Sequence, residues 1–475
     1  MTVTDTMIER IRRVREVLSG RSGRLAYYQR HPGVVSLATG SGTRRPHVSV
    51  IEAAVRSLLG SENYSFDNYH FLQPYAPMIE AARRDLAAMG VPDSHRDSVL
   101  VDFGSSGIIT SAFSLLLQPG DVVLTAPGFY HGLIEWCDLA GLRLAVAGSD
   151  DGGPPRLTAQ SIRRWFAGLD AETRKRNSAV FFSNPTFTGH VYSQAELEDL
   201  AGTIAEIDAL VICDMVFAGT EFGDERAVSL ASFDELAGKV LTVKSVSKTH
   251  NLANLRVGWA GGPSELIRRL DDHRESTKGT VPFLCQSMAA AAIDAPEDYF
   301  RANAHECQDR ADLIVNWAKR LNRAANGRFG IGNCITPVAI PQSGHSILLD
   351  APDLRGLLTP DGARLNSSAD LGEYLLQHHR VCISPAYSMG FDGMEFRIAF
   401  GSVGLDLSYP ASRAEELSAV RRSVGATELT FETLENPFRE GSELLRSACD
   451  AIGRATMALL EHNRAQSSAH QLKHA

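Results

Sequence analysis

Three features that would narrow the function at once are missing from the 475-residue sequence: a membrane-length apolar run, paired cysteines and an excess of basic residues. The N-terminal stretch has Ile8, Ile11, Val14 and Leu18 at helical spacing among charged side chains. That pattern predicts an amphipathic helix, with neither a signal-peptide core nor a membrane span. We therefore expect a protein that is not inserted in a membrane.

Charge and cysteine usage exclude further classes. The chain has 47 Lys and Arg against 56 Asp and Glu, a net charge of -9, and it contains no basic block. A nucleic-acid-binding role is therefore not expected. The seven cysteines are scattered singly, without a Cys-x-x-Cys pair. They predict reduced thiols in a cytoplasmic protein, with no metal site.

What the sequence does contain, between residues 98 and 261, is an alternation of short apolar runs with amphipathic helical stretches. The runs are rich in Val, Leu and Ile and are bounded by Gly, Pro, Asp or Asn, as buried strands are. Such alternation predicts an α/β fold with a mostly parallel sheet between helices. The predicted strands lie in the segments SVLVDFG, DVVLTAP, LRLAVAG, SAVFFSN, ALVICDM, VLTVKSVS and VGWAGG.

A different pattern follows residue 263. Helices are expected to about residue 325, and the segments SGHSILLD, HHRVCISP and MEFRIAFG then predict a smaller α+β domain. Near the C-terminus a helical stripe is followed by NRAQSSAHQLKHA, for which we predict a frayed tail. The stripe consists of Leu445, Ala448, Ile452, Ala455 and Leu459.

These patterns predict four segments. Residues 1–50 would form an N-terminal arm and part of the small domain, and residues 51–310 the large domain. Residues 311–424 would form the small domain, and residues 425–475 a C-terminal helical extension and tail. We expect ligands of the large domain at the loops that follow its strands, because binding sites of parallel sheets lie there.

Four of those loops carry polar or aromatic candidates. Gly104, Ser105, Ser106 and Gly107 open a helix, where backbone amides favour an anion, although a Gly-Ser turn with a helix cap is the simpler alternative. The other three candidates also have structural alternatives: Asp214 as a turn cap, Asn184 as a turn residue and Phe129 as a core or rim aromatic.

The segment SVSKTHNLANLRVGW, residues 245–259, places a lysine and an arginine beside the same sheet edge. Lys248 would be an ordinary solvated charge or an amine held for covalent chemistry. Together with the four loops, Lys248 and Arg256 describe a phosphate site, a carboxylate, a hydrogen-bond donor, an aromatic ring and an amine. That combination is far more specific than any one of its members.

From about Gly33 to Gly401 the sequence resembles the pyridoxal-phosphate (PLP) enzymes of fold type I, the aspartate-aminotransferase fold family. The resemblance implies a large domain with a mostly parallel seven-stranded sheet, plus a smaller α+β domain. Lys248 would hold PLP covalently and act as the general base at the substrate α-carbon. Asp214 would pair with the protonated pyridine nitrogen, so that the ring accepts electrons.

The resemblance also assigns the remaining contacts. Asn184 would bond the ring oxygen and Phe129 would stack on the ring. Arg397, in MEFRIAFG, would bind the substrate α-carboxylate through its planar guanidinium, with Gly40 beside it; the alternative for Arg397 is a surface strand residue. The phosphate would be held by Ser105, Ser106, Ser245 and Arg256.

A second resemblance concerns FDNYHFLQPY, Phe66 to Tyr75, and FAGTEF after Asp214, which are similar to segments of 1-aminocyclopropane-1-carboxylate synthases. It implies that Tyr69 reaches the PLP phosphate of a neighbouring subunit, in a homodimer with shared active sites; the alternative is a packed loop aromatic. The chain departs from these relatives at Phe71, where they have glycine, and at Phe217, where a tyrosine hydroxyl is usual. Met215 likewise replaces an acidic residue.

Three functions remain open. The first is removal of the α-proton of S-adenosylmethionine and elimination of methylthioadenosine, followed by cyclisation or by capture of the γ-carbon by a second substrate, such as a pyridine nucleotide in natural-product biosynthesis. The second is an aminotransferase that passes an amino group to a 2-oxo acid. The third is a non-enzymatic regulator that kept the fold. The departures at Phe71 and Phe217 concern the substrate and leave PLP binding intact.

Overall fold

The computed structural model describes residues 33–38, 40, 45–60, 75–92, 98–149, 151–175, 178–401 and 438–474. These residues form two compact units. The first contains Arg45–Ala304 and Gln342–Gly344, and the second contains His305–Pro341, the described residues from His345 onward, and those between Gly33 and Gly40. The domain boundaries expected from the sequence stay predictions.

In chain order the strands are β1 (Val35–Ser36), β2 (Val99–Asp102), β3 (Val122–Thr125), β4 (Arg143–Val146), β5 (Ser178–Ser183), β6 (Leu210–Asp214), β7 (Val240–Ser245), β8 (Gly258–Gly261), β9 (Thr336–Pro337), β10 (Ser346–Asp350), β11 (Val381–Cys382), β12 (Ser384–Pro385) and β13 (Phe396–Ala399). The α-helices are α1 (Val48–Leu58), α2 (Ala76–Ala88), α3 (Gly104–Leu116), α4 (Gly132–Ala140), α5 (Ala159–Ala167), α6 (Gln194–Glu206), α7 (Ser264–Thr277), α8 (Phe283–Ile293), α9 (Glu297–Phe329), α10 (Ser368–His379) and α11 (Phe438–His474). Strands and α-helices alternate from β2 to β6 in the first unit, whereas β6, β7 and β8 follow one another without an intervening α-helix.

The first unit is built on a seven-stranded sheet in the order β2-β8-β7-β6-β5-β3-β4. Neighbouring strands from β7 to β4 pair in parallel, whereas β8 is antiparallel to both β7 and β2. The mostly parallel sheet expected from the sequence is thus confirmed, and each of the seven predicted segments contains a strand. Because β2 and β7 run the same way, the carboxyl ends of β2, β3, β5, β6 and β7 meet at one edge.

Both faces of this sheet are covered, and all its strands except the edge strand β4 are largely buried. Phe181 belongs to one hydrophobic cluster and Phe182 to the other, because successive side chains of a strand point to opposite faces. Both rings are 1 % exposed, and burying a ring of that size stabilises the fold by about 1.5–3 kcal/mol. The buried strands therefore form a rigid support for the loops at the carboxyl edge.

In the second unit, β12, β13, β10 and β9 form a four-stranded antiparallel sheet, and β1 pairs in parallel with β11. The predicted apolar stripe of α11 is confirmed, since all five of its residues are buried. The predicted frayed tail is wrong, because α11 continues to His474. At the first residue of the predicted tail, Asn463 exchanges two hydrogen bonds with the backbone of Leu358, of 2.9 and 2.8 Å, which anchor the helix at that point.

The structure also bears on the cysteines and on the question of a membrane span. All seven cysteines lie in the described part of the chain, carry free thiols and, apart from the half-buried Cys285, are buried. Within that part, every helix is too short or too polar to cross a membrane.

Candidate active site

The start of α3 packs directly on β8, and two glycines make this contact possible. A Cβ placed on Gly258 would lie 2.5 Å from the carbonyl carbon of Gly104 and 2.7 Å from the backbone nitrogen of Ser105. Gly104 itself has a φ of +76°, a left-handed conformation that favours glycine. The sequence Arg-Val-Gly therefore brings the strand that follows Arg256 against the first turn of α3.

The guanidinium of Arg256 lies at that same helix start. A Cβ on Gly104 would lie 2.7 Å from Arg256 Nη2, and Arg256 has a φ of +60°, unusual for a residue with a side chain. A helix N-terminus with a neighbouring guanidinium attracts anions, because its first backbone N–H groups have no partners within the helix. Ser105 and Ser106 are half-buried in the first turn, and the Ser245 side chain is buried at the end of β7.

Asp214 ends β6 as a buried carboxylate. It is 9 % exposed, and its Oδ1 accepts a hydrogen bond of 3.1 Å from the backbone N–H of Val216. Burial raises the pKa of Asp214 from 3.8 to about 7, although that hydrogen bond and the positive charge of Lys248 oppose the rise. A cationic group placed beside this carboxylate would therefore be strongly favoured.

Lys248 is half-buried in the turn after β7, and its Nζ lies 6.0 Å from the ring centroid of Phe217. A chain of aromatic rings continues from there across the loops that follow β5 and β3. The centroids of Phe217 and Phe187 are 5.8 Å apart, as are those of Phe187 and Tyr130. The lysine thus shares its edge of the sheet with Asp214 and with an apolar wall.

Asn184 has a structural role that the sequence did not reveal. Its Nδ2 donates a 2.9 Å hydrogen bond to the carbonyl of Val228, and its Oδ1 accepts one of 3.2 Å from the backbone of Tyr192. The amide carries a second N–H, so these contacts leave one donor for a ligand. Asn184 therefore positions the loop after β5, whatever else it binds.

Phe129 is 5 % exposed and packs in the hydrophobic cluster with Leu133 and Cys137. The preceding Gly128 has a φ of +87°, and a Cβ there would lie 2.6 Å from Thr188 Cγ2. The loops after β3 and β5 are consequently held together at this point. The structure thus places Phe129 at the expected edge, with most of its ring surface in the core.

Arg397 and Gly40 belong to the second unit, and the structure brings them together. Arg397 lies in β13, is 6 % exposed, and donates a hydrogen bond of 2.8 Å from Nη2 to the carbonyl of Ala38. A Cβ on Gly40 would lie 3.3 Å from Arg397 Nη1. The alternative of a surface strand residue is therefore wrong, because the guanidinium is buried beside a residue with no side chain.

An ion pair that no sequence pattern indicated lies beside the start of α3. Lys278 Nζ lies 2.5 Å from Asp102 Oδ2, and Asp102 is the last residue of β2, directly before the loop that opens α3. The two residues are 176 positions apart, so no local pattern joins them.

Tyr69 and Phe71 lie outside the described residues. Among the residues described, no group of three or more His, Cys, Asp or Glu side chains is arranged to hold a metal.

Comparison with known proteins decides the family. The model of the family described as aminotransferase class I and II matches residues 32–404. The chain belongs to that family. Among curated class I and II relatives, a probable aspartate/prephenate aminotransferase of Rickettsia conorii is 24 % identical over 329 residues, which are 68 % of this chain and 77 % of that protein.

Other relatives agree with this placement. A probable N-succinyldiaminopimelate aminotransferase of Mycobacterium tuberculosis is 28 % identical over 306 residues, covering 63 % of this chain and 73 % of its own. Among solved structures, the aspartate aminotransferase from Rhizobium meliloti has a TM-score of 0.72 at 21 % identity, covering 92 % of this chain and 96 % of its own. This likeness confirms the fold type I architecture.

As a member of the class I and II aminotransferase family, the chain is a PLP-dependent enzyme that acts on small amino-acid substrates. The described residues fit that cofactor. An anion-binding corner formed by α3 and Arg256, a buried carboxylate with a raised pKa, and a lysine lie at one edge of one sheet. These are the partners that a phosphate, a protonated ring nitrogen and an aldehyde need.

Proposed function

We propose that the protein is an aminotransferase that passes the amino group of an amino acid to a 2-oxo acid. The proposal rests on the placement of Lys248 and Asp214 at the same edge of the sheet, in a chain whose named relatives are aminotransferases. The aminotransferase reaction, the second of the three functions left open by the sequence, is therefore favoured. Elimination of methylthioadenosine from S-adenosylmethionine gains no support from these relatives.

PLP, when bound, supplies an electron sink for the negative charge that develops at the substrate α-carbon. Lys248 would hold the cofactor through its amine, and the same amine would move a proton at that carbon. Asp214 keeps the pyridine nitrogen protonated, because a buried carboxylate is far more stable beside a cation than alone. The amides of Ser105 and Ser106, the Ser245 hydroxyl and the Arg256 guanidinium hold the phosphate.

The other proposed contacts orient the cofactor ring and the substrate. The remaining N–H of Asn184 would donate to the ring oxygen of the cofactor, and Phe129 would lie against its ring. Phe217 stands where the resembled enzymes usually have a tyrosine hydroxyl, so the ring oxygen would lack that donor. Arg397 binds the substrate carboxylate, and Gly40 leaves room for it; a buried guanidinium beside a glycine supports this role. Homodimerisation, with Tyr69 contributed to the partner's site, stays part of the proposal.

The half-reaction tests this function. Holoenzyme mixed with a panel of amino acids, without any 2-oxo acid, is expected to convert its cofactor stoichiometrically to pyridoxamine phosphate and to release one 2-oxo acid per site. Mass spectrometry of the released cofactor and of the product measures both quantities.

S-adenosylmethionine provides the opposing condition for the same experiment. Release of methylthioadenosine, with the cofactor left as PLP and no conversion by any amino acid in the panel, would contradict the proposal and support the elimination reaction. Lys248→Ala serves as the control in both arms, since it removes the covalent anchor and the base.

A further inference from the structure

Asp102 and Lys278 form an ion pair against the first turn of α3. The Asp102 side chain is fully buried, and its Oδ1 accepts a 2.6 Å hydrogen bond from the backbone N–H of Phe103. A Cβ placed on Gly107 would lie 3.4 Å from both Asp102 Oδ1 and Lys278 Nζ. Both charges are therefore adjacent to the helix start at which the cofactor phosphate is proposed to bind.

All three N–H groups of the Lys278 amine donate hydrogen bonds to residues between Asp102 and Ser111. Besides Asp102, it donates hydrogen bonds of 3.0 Å to the carbonyl of Gly107 and to Ser111 Oγ. An ammonium group has three N–H donors, so this arrangement uses each of them. Lys278 is thus bound to three points of the β2–α3 connection and leaves no N–H to donate to a ligand.

The lysine is held in place from its own side as well. Its backbone N–H donates to the carbonyl of Arg274 at the end of α7, with a length of 2.8 Å. The buried Arg274 in turn donates from Nη1 to the carbonyl of Gly279, at 2.7 Å. The segment that carries Lys278 is consequently fixed before any ligand arrives.

An acid at the position of Asp102 is unexpected at a phosphate site. A buried carboxylate next to a helix N-terminus opposes the field that attracts an anion there, and it repels the phosphate directly. The paired ammonium removes that repulsion. We propose that Lys278 is a positioning residue of the phosphate site: it neutralises Asp102 and fixes the first turn of α3, so that the site accepts a phosphorylated cofactor.

The test compares PLP with pyridoxal, which lacks the phosphate, by titrating each into cofactor-free full-length protein and following the visible absorbance. Lys278→Met is expected to weaken PLP binding at least about tenfold, equivalent to about 1.4 kcal/mol, and to leave pyridoxal binding nearly unchanged. Asp102→Asn combined with Lys278→Met is expected to restore PLP binding to within about threefold of the wild type, since the charge is balanced again.

Two controls separate the possible failures. Lys239→Met removes the partly exposed Lys239–Asp208 ion pair, which precedes β6 and β7 at the opposite edge, and it should change neither affinity. The phosphate site is itself a proposal, and Arg256→Met tests it separately. This variant should weaken PLP binding and leave pyridoxal binding unchanged. If Arg256→Met fails to discriminate between the two ligands, the phosphate site is misplaced. If it discriminates and Lys278→Met does not, only the role of Lys278 fails.

An equal loss of affinity for PLP and pyridoxal in Lys278→Met would overturn the proposal, because a purely structural ion pair would affect both ligands. Unchanged PLP binding would overturn it too. If the Lys278→Met protein does not fold, PLP binding is compared instead between the single variant Asp102→Asn and the double variant that also carries Lys278→Met. Asp102→Asn alone should then bind PLP about tenfold more tightly than the double variant, with equal pyridoxal binding, and equal PLP binding would contradict the proposal.

Discussion

Burial in the fold strongly shifts the ionisation of Asp214. In the cofactor-free protein its folded pKa of about 7 lies above its ordinary value of 3.8, so folding favours the protonated form. Stability gained from this group is complete below the ordinary pKa and is lost as the pH rises through the folded one. Bound cofactor reverses this, because a cation beside Asp214 favours the charged carboxylate.

Asp214→Asn should therefore stabilise the cofactor-free protein relative to the wild type as the pH rises from about 4 to about 7, by at most about 4 kcal/mol. The same variant should lose most of its activity, since an amide cannot keep the ring nitrogen protonated. Denaturant unfolding across this pH range measures the difference. A difference that does not change with pH would contradict the assignment.

Asp208→Asn is the matched control for that experiment. Asp208 is exposed, and its hydrogen bond and ion pair with Lys239 lower its pKa, so its effect on stability has the opposite sign. Its removal should not stabilise the protein at any pH in the range.

Sequence patterns identified some residues of the site better than others. Lys248 and Arg256 lie in one short motif and Asp214 ends an apolar strand, so the local sequence was sufficient to select them as candidates, and the resemblance to fold type I enzymes supplied their expected roles. The hydrogen bond from Asn184 to Val228 spans 44 positions and the Asp102–Lys278 pair spans 176, so both depend on tertiary packing. No spacing in a single sequence predicts such contacts.

At the scale of single elements, the contact between α3 and β8 is the least tolerant of change. The two backbones meet at Gly104 and Gly258, and a side chain at position 258 would overlap backbone atoms, which cannot rotate away. Because Arg256 precedes this contact by two residues, its guanidinium depends on the same packing.

Gly258→Ala should cost about 1–3 kcal/mol of stability and weaken PLP binding, since overpacking forces the backbone to shift. Gly202→Ala is the matched control. Gly202 lies within α6, a Cβ there would meet no atom within 4 Å, and alanine favours the helix by about 0.5–1 kcal/mol. Chemical denaturation of both variants measures the contrast, and equal stabilities would show that the close approach at Gly258 does not exist.

The strands of the first unit were predictable because each is an apolar run with polar or glycine boundaries. Their order was not predictable, since the insertion of β8 between β2 and β7 depends on long-range pairing. The end of α11 was wrongly predicted for a related reason. The segment from Asn463 onward is polar, and its start is anchored by a contact with Leu358, 105 positions away.

For the whole molecule, the family and the fold narrow the chemistry to PLP-dependent reactions of amino acids. We expect residues near Phe217 to take part in selecting the substrate side chain. The aromatic rings of Phe217, Phe187 and Tyr130 form a row, of which Phe217 lies 6.0 Å from the Lys248 amine. Differences between this chain and its relatives are expected to matter most at these rings, because the proposed roles of Lys248, Asp214 and Arg256 belong to chemistry that the whole family shares.

The most direct test of the account is to locate the lysine that holds the cofactor. Holoenzyme reduced with borohydride and digested should yield one phosphopyridoxyl-modified peptide, and the modified residue should be Lys248. The nearby Lys244 and Lys278 should remain unmodified, because their amines are already bound to Asp85 and Asp102. Modification of either of these lysines instead, or no modification of Lys248, would contradict the assignment of the site.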